Sequence, residues 1–171
     1  PVVLVSNHRS LYDVLAFLAY LPLDFKFVVK KELMAVPLWG QAMKRAGYVS
    51  IDRESSGQAR EMIREAAEKI SRGNSIFLFA EGTRSEDDKL APFKRGAFVL
   101  ASQSGCDVVP LVIEGSRQVL PKKSWRINPG QISITALAPV TDPSLKKNSR
   151  RLMTEVRQRM LAHLGQEEDL T

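Results

Sequence analysis

A chain of 171 residues can bury one sizeable core but hardly two, and its 44% hydrophobic and 26% charged content excludes a disordered or fibrous class. Lys and Arg number 25 against 19 Asp and Glu, a formal charge of +6 that favours an anionic partner: a phosphorylated metabolite, a lipid surface or nucleic acid. No zinc-finger spacing, RNA-recognition aromatic motif or glycine-rich basic repeat is present, so no nucleic acid is expected. Cys106 is the single cysteine, which excludes an internal disulfide and, with two histidines, makes no Cys/His metal site; beside Val108 and Val109 it reads as a small buried side chain. No apolar run approaches the roughly 20 residues of a bilayer-spanning helix.

The first element is the apolar, β-branched run Val2-Val3-Leu4-Val5, which reads as a buried strand. At its exit stand Asn7-His8-Arg9-Ser10-Leu11-Tyr12-Asp13. Ser10 and Asp13, three apart and followed by Val14 to Leu18, have capping-box spacing at the start of an apolar helix. The strand bends into that helix between His8 and Asp13, and four intervening residues suffice to bring the Asp13 carboxylate to one imidazole nitrogen. This fixes the tautomer and leaves the other nitrogen to take a proton. On this stretch alone, a helix-start carboxylate and a polar loop histidine explain the pattern equally well.

Pro22 marks a turn, and Phe25 to Val29 is a second strand ending in Lys30-Lys31. A helix follows from about Leu33 to Arg45, with Pro37 tolerable only near a first turn and with Met34, Val36, Leu38 and Trp39 expected in the core, lipid contact being the alternative. Gly47 to Ile51 is a short strand closed by Asp52-Arg53. Ala59, Met62, Ile63, Ala66, Ala67 and Ile70 have helical spacing within a helix from Ser56 to Arg72 that stops at Gly73.

Ser75 to Ala80 is a continuous apolar strand of the kind found in the middle of a sheet, and the polar Glu81-Gly82-Thr83-Arg84-Ser85 follows it. Phe93-Lys94-Arg95-Gly96 leads into a helix through Gln103. Val108 to Ile113 is the next strand, where Pro110 indicates an edge or a bulge. Ile132 to Ala138 is the last strand. A C-terminal helix from Ser149 to Leu164 has Leu152, Val156, Met160 and Leu164 on its packed face, with Arg150, Arg151, Arg157 and Arg159 on a face expected to be solvated, and His163 in a structural place near its end. Strands alternating with helices predict an α/β class: a single layered domain with a mostly parallel central sheet flanked by helices.

Sites in such sheets form beyond the carboxyl ends of the strands, and His8, Arg53 and Glu81 to Arg84 each follow a strand, which predicts one crevice. Gly82 lets backbone approach a ligand, Thr83 offers a hydroxyl and Arg84 a planar fork, a set suited to phosphate. Arg53 is a second guanidinium and Lys94 a third cation. Any one of these arginines alone reads as a surface ion pair; their joint placement points to a site.

Asn7-His8 through Asp13, Gly47 through Arg53, Glu81-Gly82-Thr83-Arg84-Ser85 and Val109-Pro110-Leu111, in that order, resemble the four blocks of the glycerolipid acyltransferase family. The resemblance runs from the first residues to about Gly115. It implies a glycerol-3-phosphate acyltransferase-like fold with His8 as general base, Asp13 as its orienting partner, and Arg53, Glu81, Gly82, Thr83 and Arg84 binding the glycerol phosphate, with Pro110 on the acyl-donor side. It also implies a cofactor-free transfer of a fatty acyl group from acyl-CoA or acyl carrier protein to the sn-2 hydroxyl of lysophosphatidic acid, making phosphatidic acid. Glycerol 3-phosphate or another lysolipid is the alternative acceptor. Members of the family carry hydrophobic N-terminal helices, so residues 1–171, opening with Pro1 inside a strand, are expected to be an acyltransferase domain without its anchor, working at the cytoplasmic face of a membrane.

Two other readings compete. A hydrolase would use Ser6 or Ser10 as nucleophile, but there is no G-x-S-x-G elbow. A non-catalytic lipid-phosphate binding module would keep the cations, yet has no need of an oriented base.

Overall fold

Alternation within each apolar run decides which side of the sheet a residue fills. In the computed structural model, which describes residues 1–52 and 56–167, Val3 and Val5 pack with Ile76 and Leu78 on one face, while Leu4 and Phe77 fill the other. The strands are β1 (Val3–Ser6), β2 (Phe25–Lys30), β3 (Val49–Ile51), β4 (Ser75–Phe79), β5 (Val108–Glu114) and β6 (Ser133–Ala136). They form one sheet in the order β3-β2-β4-β1-β5-β6, parallel except for β6, which pairs antiparallel with β5. This is the expected mostly parallel α/β sheet, and its parallel strands all end on the same side.

Helices α3 (Ser56–Ser71), α4 (Gly96–Ser104) and α7 (Ser149–Leu164) supply the core on the first face. On the second, α1 (Tyr12–Tyr20) contributes Ala16 and Phe17 to an aromatic cluster around the wholly buried Phe77. Phe17 and Phe27 each lie 4.7 Å from its ring centre and Phe25 lies 5.4 Å away, pairs that add about 0.5–1.5 kcal/mol apiece beyond their buried area. α7 has the expected bounds, because the Asn148 side chain accepts from the N–H groups of Arg150 and Arg151 and Leu152, Val156 and Met160 are wholly buried. Shorter helices are α2 (Trp39–Arg45), α5 (Ser116–Val119) and α6 (Pro143–Lys146). Among the described residues no helix is long and apolar enough to cross a membrane.

Four expectations are corrected in whole or in part. The helix expected from Leu33 to Arg45 is two pieces, a 3₁₀ turn over Lys31–Ala35 and then α2. Pro37 forces Val36 into an extended conformation (ψ 124°), and the chain doubles back so closely that a Cβ on Gly40 would lie 2.1 Å from Met34 O. Met34 is buried there, but Leu38 and Trp39 are 81% and 57% exposed, so this end is surface and not core.

Pro110 is not on an edge strand, since β5 lies between β1 and β6. The bulge that it also suggested is present: Leu111 pairs with Ala136, whereas Val108 pairs with Val140, one residue further than a regular ladder allows. The arginine face of α7 is also not simply solvated. Arg157 donates to the carbonyls of Leu90 and Ala91 and lies 5.4 Å over the Phe93 ring, and Arg159 pairs with Glu155.

Candidate active site

β1 and β4 leave the sheet side by side, in a register that sets Ser6 opposite Phe79. Two residues on, the His8 backbone N–H donates to Glu81 Oε1 at 2.7 Å, and the Ser85 N–H donates to the His8 carbonyl at 2.9 Å. The ring of His8 stacks on that of Phe79, with centroids 3.8 Å apart and planes 13° apart. Asn7, wholly buried, extends β1 with its side chain: its amide donates to Ile113 O at 2.8 Å and its oxygen accepts from Ile113 N–H at 2.9 Å. The β1 backbone is thereby released to turn while His8 stays clamped.

Asp13 comes back from the first turn of α1 to meet it. Its Oδ2 accepts from His8 Nδ1 at 2.7 Å, from Arg9 N–H at 2.6 Å and from Ser10 N–H at 2.9 Å. The Ser10 bond is the return half of a capping box. The other half is altered, because the Ser10 hydroxyl accepts from Tyr12 N–H and donates to Leu120 O. A carboxylate can only accept, so Nδ1 carries the proton of the neutral ring and Nε2 bears its lone pair. The Asp13 side chain is fully buried while that of His8 remains 13% exposed, which hides the carboxylate and leaves the imidazole within reach of solvent. Ser6 and Ser10 are both wholly buried with hydroxyls donating to backbone carbonyls, so neither offers the nucleophile of a hydrolase.

The loop after β4 encloses the histidine. Glu81, only 4% exposed, gives one oxygen to His8 N–H and the other to Ala91 N–H at 2.9 Å. Burial pushes its carboxyl above the ordinary carboxylate range, and the two amide donors hold it partway back. Both oxygens are thus committed to backbone. Arg9, 3% exposed, spreads its guanidinium over the carbonyls of Asp87, Asp88 and Lys89 and fastens the far side of the same loop.

Gly82 has φ +75°, in the left-handed region, and a Cβ there would meet Lys94 Cγ at 3.1 Å. Gly82, Thr83 and Lys94 line one end of a groove of about 640 Å³ whose walls include Val28, Met62, Leu78 and Ala97. Its polar side chains are Thr83 and Lys94 from the loops and Asp52 after β3, and the rest of its lining is largely apolar. Arg84, which follows Thr83, is half-buried and does not line the groove, and its carbonyl accepts from Lys122 Nζ at 3.1 Å.

The structure therefore brings together His8, Asp13 and Glu81, and separately Gly82, Thr83 and Lys94. Arg53 lies outside the described residues. Pro110, expected on the acyl-donor side, is buried within β5 opposite Val5. Asn7, Arg9, Phe79 and Ser85 are additions to the expected set. Asn7, Arg9 and Ser85 sat inside the motifs, but their partners lie 73 residues or more away or in loop carbonyls, which no local pattern encodes.

Residues 1–114 match the family described as Acyltransferase. A chloroplastic 1-acyl-sn-glycerol-3-phosphate acyltransferase of Brassica napus is 36% identical over 141 residues, covering 82% of this chain and 41% of that protein. The alpha form from Homo sapiens is 36% identical over 146 residues, covering 85% and 52%. Among solved structures, the 1-acyl-sn-glycerophosphate acyltransferase PlsC from Thermotoga maritima superposes with a TM-score of 0.81 at 28% identity, covering 98% of this chain and 68% of that one. The chain spans about half the length of the curated relatives it matches. The matched segment contains the whole of the clamp around His8, and the likeness extends through fold and sequence together: this chain belongs to the acyltransferase family.

Proposed function

We propose that residues 1–171 act as one acyltransferase domain that moves a fatty acyl group from an acyl thioester, acyl-CoA or acyl carrier protein, to the sn-2 hydroxyl of lysophosphatidic acid, producing phosphatidic acid at a membrane surface. The observation that carries this reading is the His8 Nδ1 to Asp13 Oδ2 bond of 2.7 Å, a buried carboxylate orienting a partly accessible imidazole. A hydroxyl is a poor nucleophile at neutral pH and needs a base within hydrogen-bond reach. His8 Nε2 takes the hydroxyl proton as the oxygen bonds to the thioester carbon, Asp13 stabilises the imidazolium, and the carbon–sulfur bond then breaks with the proton returned to the departing thiolate. No covalent acyl-enzyme is needed, because the acceptor's phosphate is held at Thr83, Arg84, Lys94 and Arg53 with Gly82 allowing close approach, which keeps the hydroxyl beside His8. The apolar groove takes a hydrocarbon chain. Glu81 positions His8 through its backbone and does not touch substrate.

The test is acyl transfer by the protein and its His8→Ala variant, offering both thioester donors with lysophosphatidic acid, glycerol 3-phosphate or another lysophospholipid. Transfer to lysophosphatidic acid that drops roughly 10²–10⁴-fold in the variant is the expected result. Wild-type turnover by His8→Ala would sink the mechanism, and binding of lysolipid without transfer from either donor would leave a lipid-phosphate binding module.

A further inference from the structure

A loop beside the crevice carries residues that neither the core nor the chemistry above uses. It leaves α5 after Val119 and returns to it, with Asn128 N–H donating to Val119 O at 2.9 Å and the Asn128 side chain to Gln118 O at 3.2 Å. Its base is tied to the site: Lys122 Nζ donates to Arg84 O and pairs with Glu86, and Leu120 O accepts from Ser10 Oγ at 2.8 Å. Its tip stands away from the protein. Trp125 is 94% exposed and Ile127 60%, and the Lys123 side chain, whose Nζ lies 3.8 Å from Glu86 Oε1, is 82% exposed.

An indole left this far in water contributes nothing to the core. Trp and Ile interleaved with Lys and Arg is the composition of a membrane–water boundary, where the ring sits at headgroup level and the cations meet lipid phosphates. The Ser10–Leu120 bond sets this loop beside Leu11, and Leu11, Leu15 and Leu18, spaced along one face of α1, are each about half exposed. These apolar groups are exposed side chains, and a fluid interface takes up such groups without needing a matching pocket.

We propose that the tip of loop 121–128, backed by the outer face of α1, rests in the surface of an anionic bilayer, with Trp125 and Ile127 among the headgroups and Lys123 and Arg126 on lipid phosphates. The crevice at Arg84 then opens at the membrane surface, so that a lysolipid reaches His8 without crossing water. That consequence rests on the acyltransferase reading; the contact itself does not.

In a Trp39→Phe protein Trp125 is the sole indole, since the sequence has two tryptophans. Its emission is followed on adding vesicles of phosphatidylcholine with about a third phosphatidylglycerol, and with bilayer-brominated lipids as quenchers. The expected result is a blue shift with quenching, its vesicle midpoint weakened about fivefold by each of Lys123→Ala and Arg126→Ala on anionic vesicles and hardly at all on pure phosphatidylcholine. An unshifted, unquenched Trp125 overturns the proposal, above all if the protein pellets with the vesicles, as does a response to acidic acyl carrier protein in the absence of any response to vesicles. Acyl transfer in detergent micelles, measured alongside, separates the two ideas: a responding Trp125 in a protein without transfer refutes the chemistry and supports the surface.

Discussion

Asp13→Asn separates the charge of the dyad from its geometry. Asp13 Oδ2 serves three donors, whereas Oδ1 is buried with no hydrogen-bond partner among the described residues. Asparagine has one oxygen, and the two backbone N–H groups of Arg9 and Ser10 dictate where it goes, because an amide nitrogen there would set donor against donor. The oxygen therefore takes the Oδ2 place, all three bonds persist, and Nδ1 keeps its proton. What disappears is the negative charge that steadies the imidazolium. Hydrogen bonds to charged groups contribute about 1.5–3 kcal/mol against about 0.5–1.5 kcal/mol for neutral ones. The transition state thus loses roughly 1–2 kcal/mol, or roughly 5–30-fold in kcat. Asp13→Ala behaves differently, since it strands two buried backbone donors at about 1–3 kcal/mol each, so roughly 2–6 kcal/mol of stability. Initial rates of acyl transfer and urea unfolding of both variants check this. Asp13→Asn transferring at the wild-type rate would refute the stabilisation of the imidazolium by the Asp13 charge, and a loss of many thousand-fold with the fold intact would refute the retained tautomer.

Glu81→Gln leaves a single oxygen for the buried N–H groups of His8 and Ala91. Urea unfolding at neutral pH is expected to show a loss of about 1–3 kcal/mol, and a gain in stability would contradict the clamp. Burial raises the Glu81 pKa in the native state, so between the ordinary carboxylate range and that raised value the folded chain holds more protons than the unfolded one. Wild-type stability therefore falls as pH rises through this window, and its advantage over Glu81→Gln is expected to shrink from acid towards neutral pH. Gly82→Ala puts a Cβ at φ +75° and 3.1 Å from Lys94 Cγ, which costs about 1–2 kcal/mol in backbone strain and displaces the lysine. Its KM for the phosphorylated acceptor should rise while kcat changes less; an unchanged KM removes Lys94 from the phosphate site. Arg157→Lys keeps the charge but cannot fork across the carbonyls of Leu90 and Ala91 while covering Phe93, and thermal melting should register a loss of about 1–2 kcal/mol.

What local chemistry determines was legible in the sequence. The alternation of strand and helix, the limits of α7 and the reach of Asp13 to His8 follow from periodicity, capping and a five-residue separation. The broken helix before Arg45 was not legible, because Pro37 can sit in a first turn and only the close pass of Gly40 over Met34 O shows that it does not. Arg9 and Glu81 illustrate a second limit. Glu81 was expected to bind a ligand and Arg9 was given no role, yet both are consumed by backbone far along the chain or in the next loop, since a buried charge is stable only where it finds such partners. Pro110 misled in part for the same reason, its tolerance inside a sheet depending on a bulge formed by residues near Val140.

The strand that delivers His8 stands first in this sequence and yet lies inside the sheet, with β4 on one side and β5 on the other. Val3 is opposite Ile76 and Val108, so during synthesis β1 emerges long before either neighbour exists. Such distant parallel pairing closes slowly, on a scale of about milliseconds to seconds, and until then an apolar segment is open to misassociation. Asn7 cannot engage Ile113, nor His8 engage Glu81, before those residues have been made. His8 is thus translated some seventy residues or more before the segments that hold it, and its clamp is complete only when β5 has joined the sheet.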